Sequence, residues 1–171
     1  MKQLLFGVSI SMMLPFTACD DNKADETENS MNTIEVTTDN VNDGPYYFNF
    51  LEGARDSTSW HLSYNNLDAG GGNYMPSFSL SNALMLSINN SLKFEDITEI
   101  PSTDLFGLSD GKLSYGGDSA VLVYNMQLHT ISVSDNNYII YDTISKKIFK
   151  LHFDEYSAGV VIFRFAELNT N

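Results

Sequence analysis

The sequence predicts an all-β fold: a single antiparallel β-rich domain with at most one short helix. Three features lead there. Apolar residues from Thr33 onward recur with period two, the spacing of a strand with one face buried. The alternating runs are short and are bounded by Gly, Asn, Asp and Pro clusters. No long segment carries helical periodicity.

The elements follow in order. Ile34 and Val36 mark a first strand, and DNVNDGP at 39–45 is a turn cluster. Its Asp39 and Asp43-Gly44 faintly suggest a Ca²⁺ loop. Val41 and Phe50 occupy positions that need oxygen ligands, so a plain turn is expected. Tyr46, Phe48 and Phe50 share one face of a second strand. Trp60, Leu62 and Tyr64 alternate with His61 and Ser63, which places His61 on the solvent side. DAGGGN at 68–73 is a flexible loop, since consecutive glycines hold a strand poorly. Leu80, Leu84, Leu86 and Ile88 continue the alternation, and Phe94 with Ile97 fits one helical turn before Pro101. Residues 103–118 read as loop with a short strand. Four strands follow, over 121–133, 137–142, 146–153 and 159–167. In the third, Phe149, Leu151 and Phe153 face inward, with Lys150 and His152 outward. The short turns favour antiparallel neighbours.

Composition excludes several function classes. The 171 residues carry a net charge of −13, which leaves no basic face for nucleic acid. A single Cys excludes a disulfide framework and any CxxC metal site. The three His, at 61, 129 and 152, form no H-E-x-x-H. No G-x-S-x-G, P-loop or G-x-G-x-x-G follows the first 18 residues, so nothing points to an enzyme.

The first residues, MKQLLFGVSISMMLPFTAC, combine Lys2 with an apolar run too short to span a bilayer. Small Thr17 and Ala18 precede Cys19. This resembles a bacterial lipoprotein signal over 1–18, with Cys19 as the lipidated residue. Residues 19–31 form a polar tether containing Asp20, Asp21, Asp25, Glu26 and Glu28. Acids placed just after the Cys resemble the signal that exports Bacteroidota lipoproteins to the cell surface. The localisation implied is the outer membrane, lipid-anchored and surface-exposed. The folded domain then spans 32–168.

Two blocks carry a further resemblance. One is Tyr46-Tyr47-Phe48-Asn49-Phe50 with Trp60-His61-Leu62-Ser63-Tyr64 and the Gly-rich loop. The other is Asn137-Tyr138-Ile139-Ile140-Tyr141, Lys150-Leu151-His152-Phe153, Glu155-Tyr156 and residues 159–165, with 94–101 matching between them. The pattern is similar to the HmuY family of Bacteroidota, all-β surface lipoproteins that scavenge haem. The resemblance implies binding of haem or a related tetrapyrrole, and its delivery to a TonB-dependent outer-membrane receptor. It also implies two axial side chains, His or Met. One falls on Met126, just past Val121-Leu122-Val123-Tyr124-Asn125. The family's other ligand lies between the Pro101 turn and Val121, where this chain has neither Met nor His. A replacement would come from Met85, Met75 or His129. Trp60 is followed by His61, where the family usually has Asp.

Residue chemistry by itself gives Met126 a second reading, as a gap-filler on the strand face of Leu122, Tyr124 and Leu128. An unbroken strand would turn His129 to the face opposite Met126. Arg55, Lys93, Lys112 and Arg164 are the cations that could offset the anionic propionates of haem. The alternative function is a non-haem accessory or interaction lipoprotein on the same fold, associated with an outer-membrane uptake receptor.

Overall fold

The computed structural model describes residues 31–108, 113 and 119–169. The signal segment, Cys19, nearly all of the tether, and Lys112 lie outside the described residues. Within Met31–Asn171, which form one compact unit, the chain folds into antiparallel sheets, as its alternation predicts.

Twelve strands are described. They are β1 (Ile34–Thr37), β2 (Tyr46–Asn49), β3 (Ala54–Arg55), β4 (Leu62–Gly70), β5 (Asn73–Leu80), β6 (Leu84–Asn89), β7 (Gly107–Leu108), β8 (Leu122–Asn125), β9 (Thr130–Val133), β10 (Asn137–Asp142), β11 (Ile148–Ser157) and β12 (Val160–Leu168). A six-stranded sheet runs β1-β12-β11-β10-β6-β7, and a four-stranded sheet runs β3-β2-β4-β5. The β8–β9 pair forms a separate two-stranded ribbon. The described helical structure is one 3₁₀ turn, Thr103–Leu105. Phe94 to Ile97 make a tight turn, with the Ile97 N–H donating to the Phe94 carbonyl, and do not extend into a helix.

Aromatic side chains lock the two larger sheets face to face. Phe48 meets Phe163 and Phe165 edge-on, at 5.3 and 5.4 Å between centroids. Tyr64 stacks on Phe78 at 4.3 Å, and Phe78 lies 4.7 Å from Phe153. Cross-strand partners explain the grouping. Leu151 lies opposite Tyr138 on one side and Phe165 on the other, so all three share the inner face.

The outer face of the six-stranded sheet is also covered. Ile97, Phe106, Ile139, Ile148 and Leu168 form a second apolar cluster there, with Met85, Ile100 and Tyr141 packed against it. This cover corrects the expectation for Lys150, which is 2% exposed rather than solvent-facing. Period two put it on the correct face, but residues 94–97 lie over that face. The Lys150 ammonium donates to the carbonyls of Phe94 (2.8 Å) and Ile97 (3.0 Å) and sits 4.4 Å from the Phe94 ring centre. Burial pushes its pKa down, against the opposing pull of Glu95.

His61 is corrected as well. It precedes β4 and is buried, not exposed. Its Nδ1 accepts the Phe50 N–H at 2.9 Å, and its ring stacks on Phe50 at 5.8 Å. His152 is half-buried, 6.3 Å from the Phe94 ring.

Candidate functional site

The expected strand over 121–133 is a hairpin. β8 and β9 pair from Leu122↔Val133 to Asn125↔Thr130, and residues 126–129 are the turn. Its root is firmly held. Val121 and Leu122 are buried, and the Ser134 N–H donates to the Val121 carbonyl at 2.8 Å. The buried Tyr138 hydroxyl donates to the Ala120 carbonyl at 2.6 Å and lies 2.9 Å from the Ser134 hydroxyl. Burial raises the Tyr138 pKa. Ile131 and Val133 pack onto the main core.

The tip is different. Met126 is 79% exposed and Leu128 70%, with Val123 and Tyr124 also open to solvent. Met126 is therefore no gap-filler. The bend that removes it from the strand face is built by Asn125, whose side-chain oxygen accepts the N–H groups of Gln127 (2.9 Å) and Leu128 (3.0 Å). His129 closes the turn at φ 51°, a left-handed conformation unusual for a residue with a Cβ. Its Nδ1 lies 2.7 Å from the Tyr124 hydroxyl, a hydrogen bond that ties the tip to β8.

These positions bear on the expected ligand set. Met126 and His129 come together in one turn. Met85 lies on β6 and packs into the second cluster, apart from the hairpin. Met75 lies on β5 opposite Leu67 and is half-buried.

The two side chains that the resemblance implies would have to approach one haem iron from opposite sides. Three residue steps reach about 11 Å at full extension, and here they are folded into a closed turn. That turn cannot pass around the macrocycle rim, so Met126 and His129 cannot bracket one iron. The fit is to one-sided ligation by Met126: a thioether is a soft donor suited to haem iron, and this one is accessible. Among the described residues no group of three or more His, Cys, Asp or Glu could hold a metal ion.

Two expected counter-cations are already engaged. Arg55 pairs with Asp39 at 2.5 Å, and Arg164 pairs with Asp154 at 3.1 Å and with Glu95.

A buried polar pair escaped sequence reasoning. His61 Nε2 lies 3.7 Å from Asp142 Oδ2, with both side chains nearly inaccessible. Burial lowers the His61 pKa, outweighing the pull of Asp142 and Asp56. Burial alone would raise Asp142, but bonds from the Ser145 hydroxyl (2.5 Å) and the Ile144 and Ser145 N–H groups hold it low. Asp142 thereby fixes the β10–β11 turn. The role is architectural, and the Asp-Thr-Ile-Ser run after a strand is the signal that could have found it.

No protein-family model matches the chain, and no curated protein matches it. The likeness to the HmuY family rests on the residues quoted for it above.

Proposed function

We propose that the protein is a surface lipoprotein that takes up haem or a related tetrapyrrole at the β8–β9 hairpin, for hand-over to a TonB-dependent outer-membrane receptor. The observation that carries the reading is the exposure of Met126: a soft thioether at the tip of an anchored ribbon, flanked by exposed Leu128, Val123 and Tyr124. Unpacked apolar side chains gathered in one place mark a contact surface for something else. Met126 would ligate one face of the iron, and Leu128 and Tyr124 would give apolar contact to the ring. Haem supplies, when bound, a metal centre able to accept that sulfur. The short turn offers no ligand to the opposite face, so a second donor would come from the receptor or from solvent.

Adding hemin to the purified full chain, with Met126→Ala beside it, tests this. The expected result is a Soret difference band whose half-saturation concentration the variant raises at least tenfold, about 1.4 kcal/mol in affinity. A featureless difference spectrum at micromolar protein removes haem from the account.

The same exposed tip, lacking a ligand for the second face, favours one other reading: an accessory lipoprotein whose hairpin docks on the receptor without pigment. Co-purification of a colourless complex with a TonB-dependent receptor, lost on Met126→Asp with Leu128→Asp, would select it.

A further inference from the structure

The β4–β5 hairpin outruns its sheet. β2 pairs only with the stretch from Leu62 to Tyr64, whereas β4 and β5 stay paired as far as Gly70 and Asn73. The face that carries Leu62, Tyr64, Phe78 and Leu80 into the core therefore continues beyond it. Past the Tyr64–Phe78 stack that face becomes Asn66, Asp68 and Tyr74. Beneath the overhang, against residues 41–45, lies an open cleft of about 490 Å³. We propose that this cleft is a binding site for a neutral saccharide, with Tyr74 as its stacking platform and Asn42, Asp43 and Asn66 as its hydroxyl-binding groups.

The lining selects the ligand class. No Lys, Arg or His contributes to it, and Asp43 adds negative charge, so an anionic ligand is disfavoured. A hard cation takes six to eight oxygens, usually several carboxylates, and the cleft offers one carboxylate. An apolar ligand would take the Asp43 carboxylate and the remaining hydrogen-bonding capacity of Asn42 and Asn66 out of water without replacing it. A sugar matches on both counts. Its hydroxyls donate and accept, as amides and carboxylates require, and the C–H face of its ring suits an aromatic surface. Tyr74 is 66% exposed, although its face-mates Pro76, Phe78 and Leu80 are buried. No packing among the described residues accounts for an aromatic residue there.

The rim is already rigid. Asn40 receives the Asn42 N–H (3.0 Å) and donates to the Ala158 carbonyl (3.0 Å). The Val41 N–H (2.9 Å) and the Tyr64 hydroxyl (3.1 Å) both donate to the Gly159 carbonyl. The loop packs so closely on Gly159 that an added Cβ would fall 2.4 Å from Asn40 Oδ1 and 2.9 Å from Asn42 Nδ2. Asn66 Nδ2 donates to Asn42 Oδ1 at 3.0 Å and to the Val41 carbonyl at 3.4 Å. Its own side-chain oxygen, the Tyr74 hydroxyl and the Asp43 carboxylate have no partner among the described residues. The bonds that hold Asn42 and Asn66 lower the ordering cost of binding there. The cleft shares no lining residue with the β8–β9 hairpin, so it can fill independently of haem.

Saturation-transfer difference NMR on the full chain, with the methyl glycosides of glucose, galactose, mannose and N-acetylglucosamine at about 10 mM, tests the site. At least one should receive saturation on its ring C–H protons. Tyr74→Ala should weaken that glycoside at least tenfold, as should Asn66→Ala, while Met126→Ala should leave it unchanged. Glucose 6-phosphate should bind more weakly than methyl glucoside, and Asp43→Asn should narrow that gap. Absence of transfer to all four glycosides, or transfer that persists undiminished in Tyr74→Ala with native circular dichroism, overturns the proposal.

Discussion

His61 and Lys150 are each flanked by an aromatic or apolar neighbour on a strand or its approach, the pattern of solvent-facing residues, and each is enclosed. The reasons differ. Lys150 obeys the alternation, but its side of the sheet has a lid made from residues 94–97, whose backbone carbonyls need a donor. The legible hint was the unbroken apolar run Tyr138-Ile139-Ile140-Tyr141, which marks a strand covered on both faces. Replacing Lys150 by Met keeps the stem and removes the charged donor, orphaning the Ile97 carbonyl and leaving that of Phe94 with the Ile97 N–H alone. A loss of about 1–3 kcal/mol is expected in urea unfolding. His61 sits outside the paired part of β4, so strand parity did not apply to it. Its pKa is depressed in the fold, so the unfolded chain binds a proton more readily. Stability is therefore full above the ordinary imidazole value near 6.5 and declines as pH falls through it. Asp142, also held low, extends the decline below the ordinary carboxylate range near 3.9. The urea midpoint should drop between pH 7.5 and pH 5. His61→Asn should flatten that upper part of the profile, and an unchanged profile would show that another group titrates.

The hairpin over 122–133 shows how an element can hide. The alternation Val121, Val123 and Leu122, Tyr124 is genuine strand pattern, and no Gly or Pro interrupts the residues that follow. The break is made by one Asn side chain and by a His in the left-handed region. Asn125 was the readable signal, since Asn initiates turns by bonding backbone N–H groups two and three residues on. Asn125→Ala should loosen the tip by about 1 kcal/mol, seen as faster hydrogen exchange at Gln127 and Leu128 with protection at Tyr138 unchanged. If both sites speed up together, the ribbon and the core open as one unit. At the candidate site, Met126 was singled out by the family resemblance alone. Its exposure was not legible, because exposure here follows from the turn rather than from parity. The cleft under β4 and β5 was less legible still. DAGGGN announced a loop, yet only the pairing register reveals that the ribbon projects past its sheet.

At the scale of the molecule, the all-β fold class was readable because alternating apolar runs bounded by turn residues are enough to specify antiparallel strands. Strand order was not, since non-local partners such as β6 with β10 leave no local mark. A net charge of −13 on so small a body opposes compaction. The melting temperature should rise as NaCl goes from about 10 to 150 mM, over which the screening length shortens roughly fourfold. A flat response would mean that the acids are already well separated.

β1 is four mostly exposed residues, IEVT, laid along β12, whose sequence VVIFRFAEL is the most apolar of the long strands. Without that cover, β12 would show free N–H and C=O groups to any other chain, in a segment prone to cross-β stacking. A protein trimmed past Thr37 should therefore keep its core yet polymerise, its light scattering growing with concentration, so this short strand acts as a guard against fibrils.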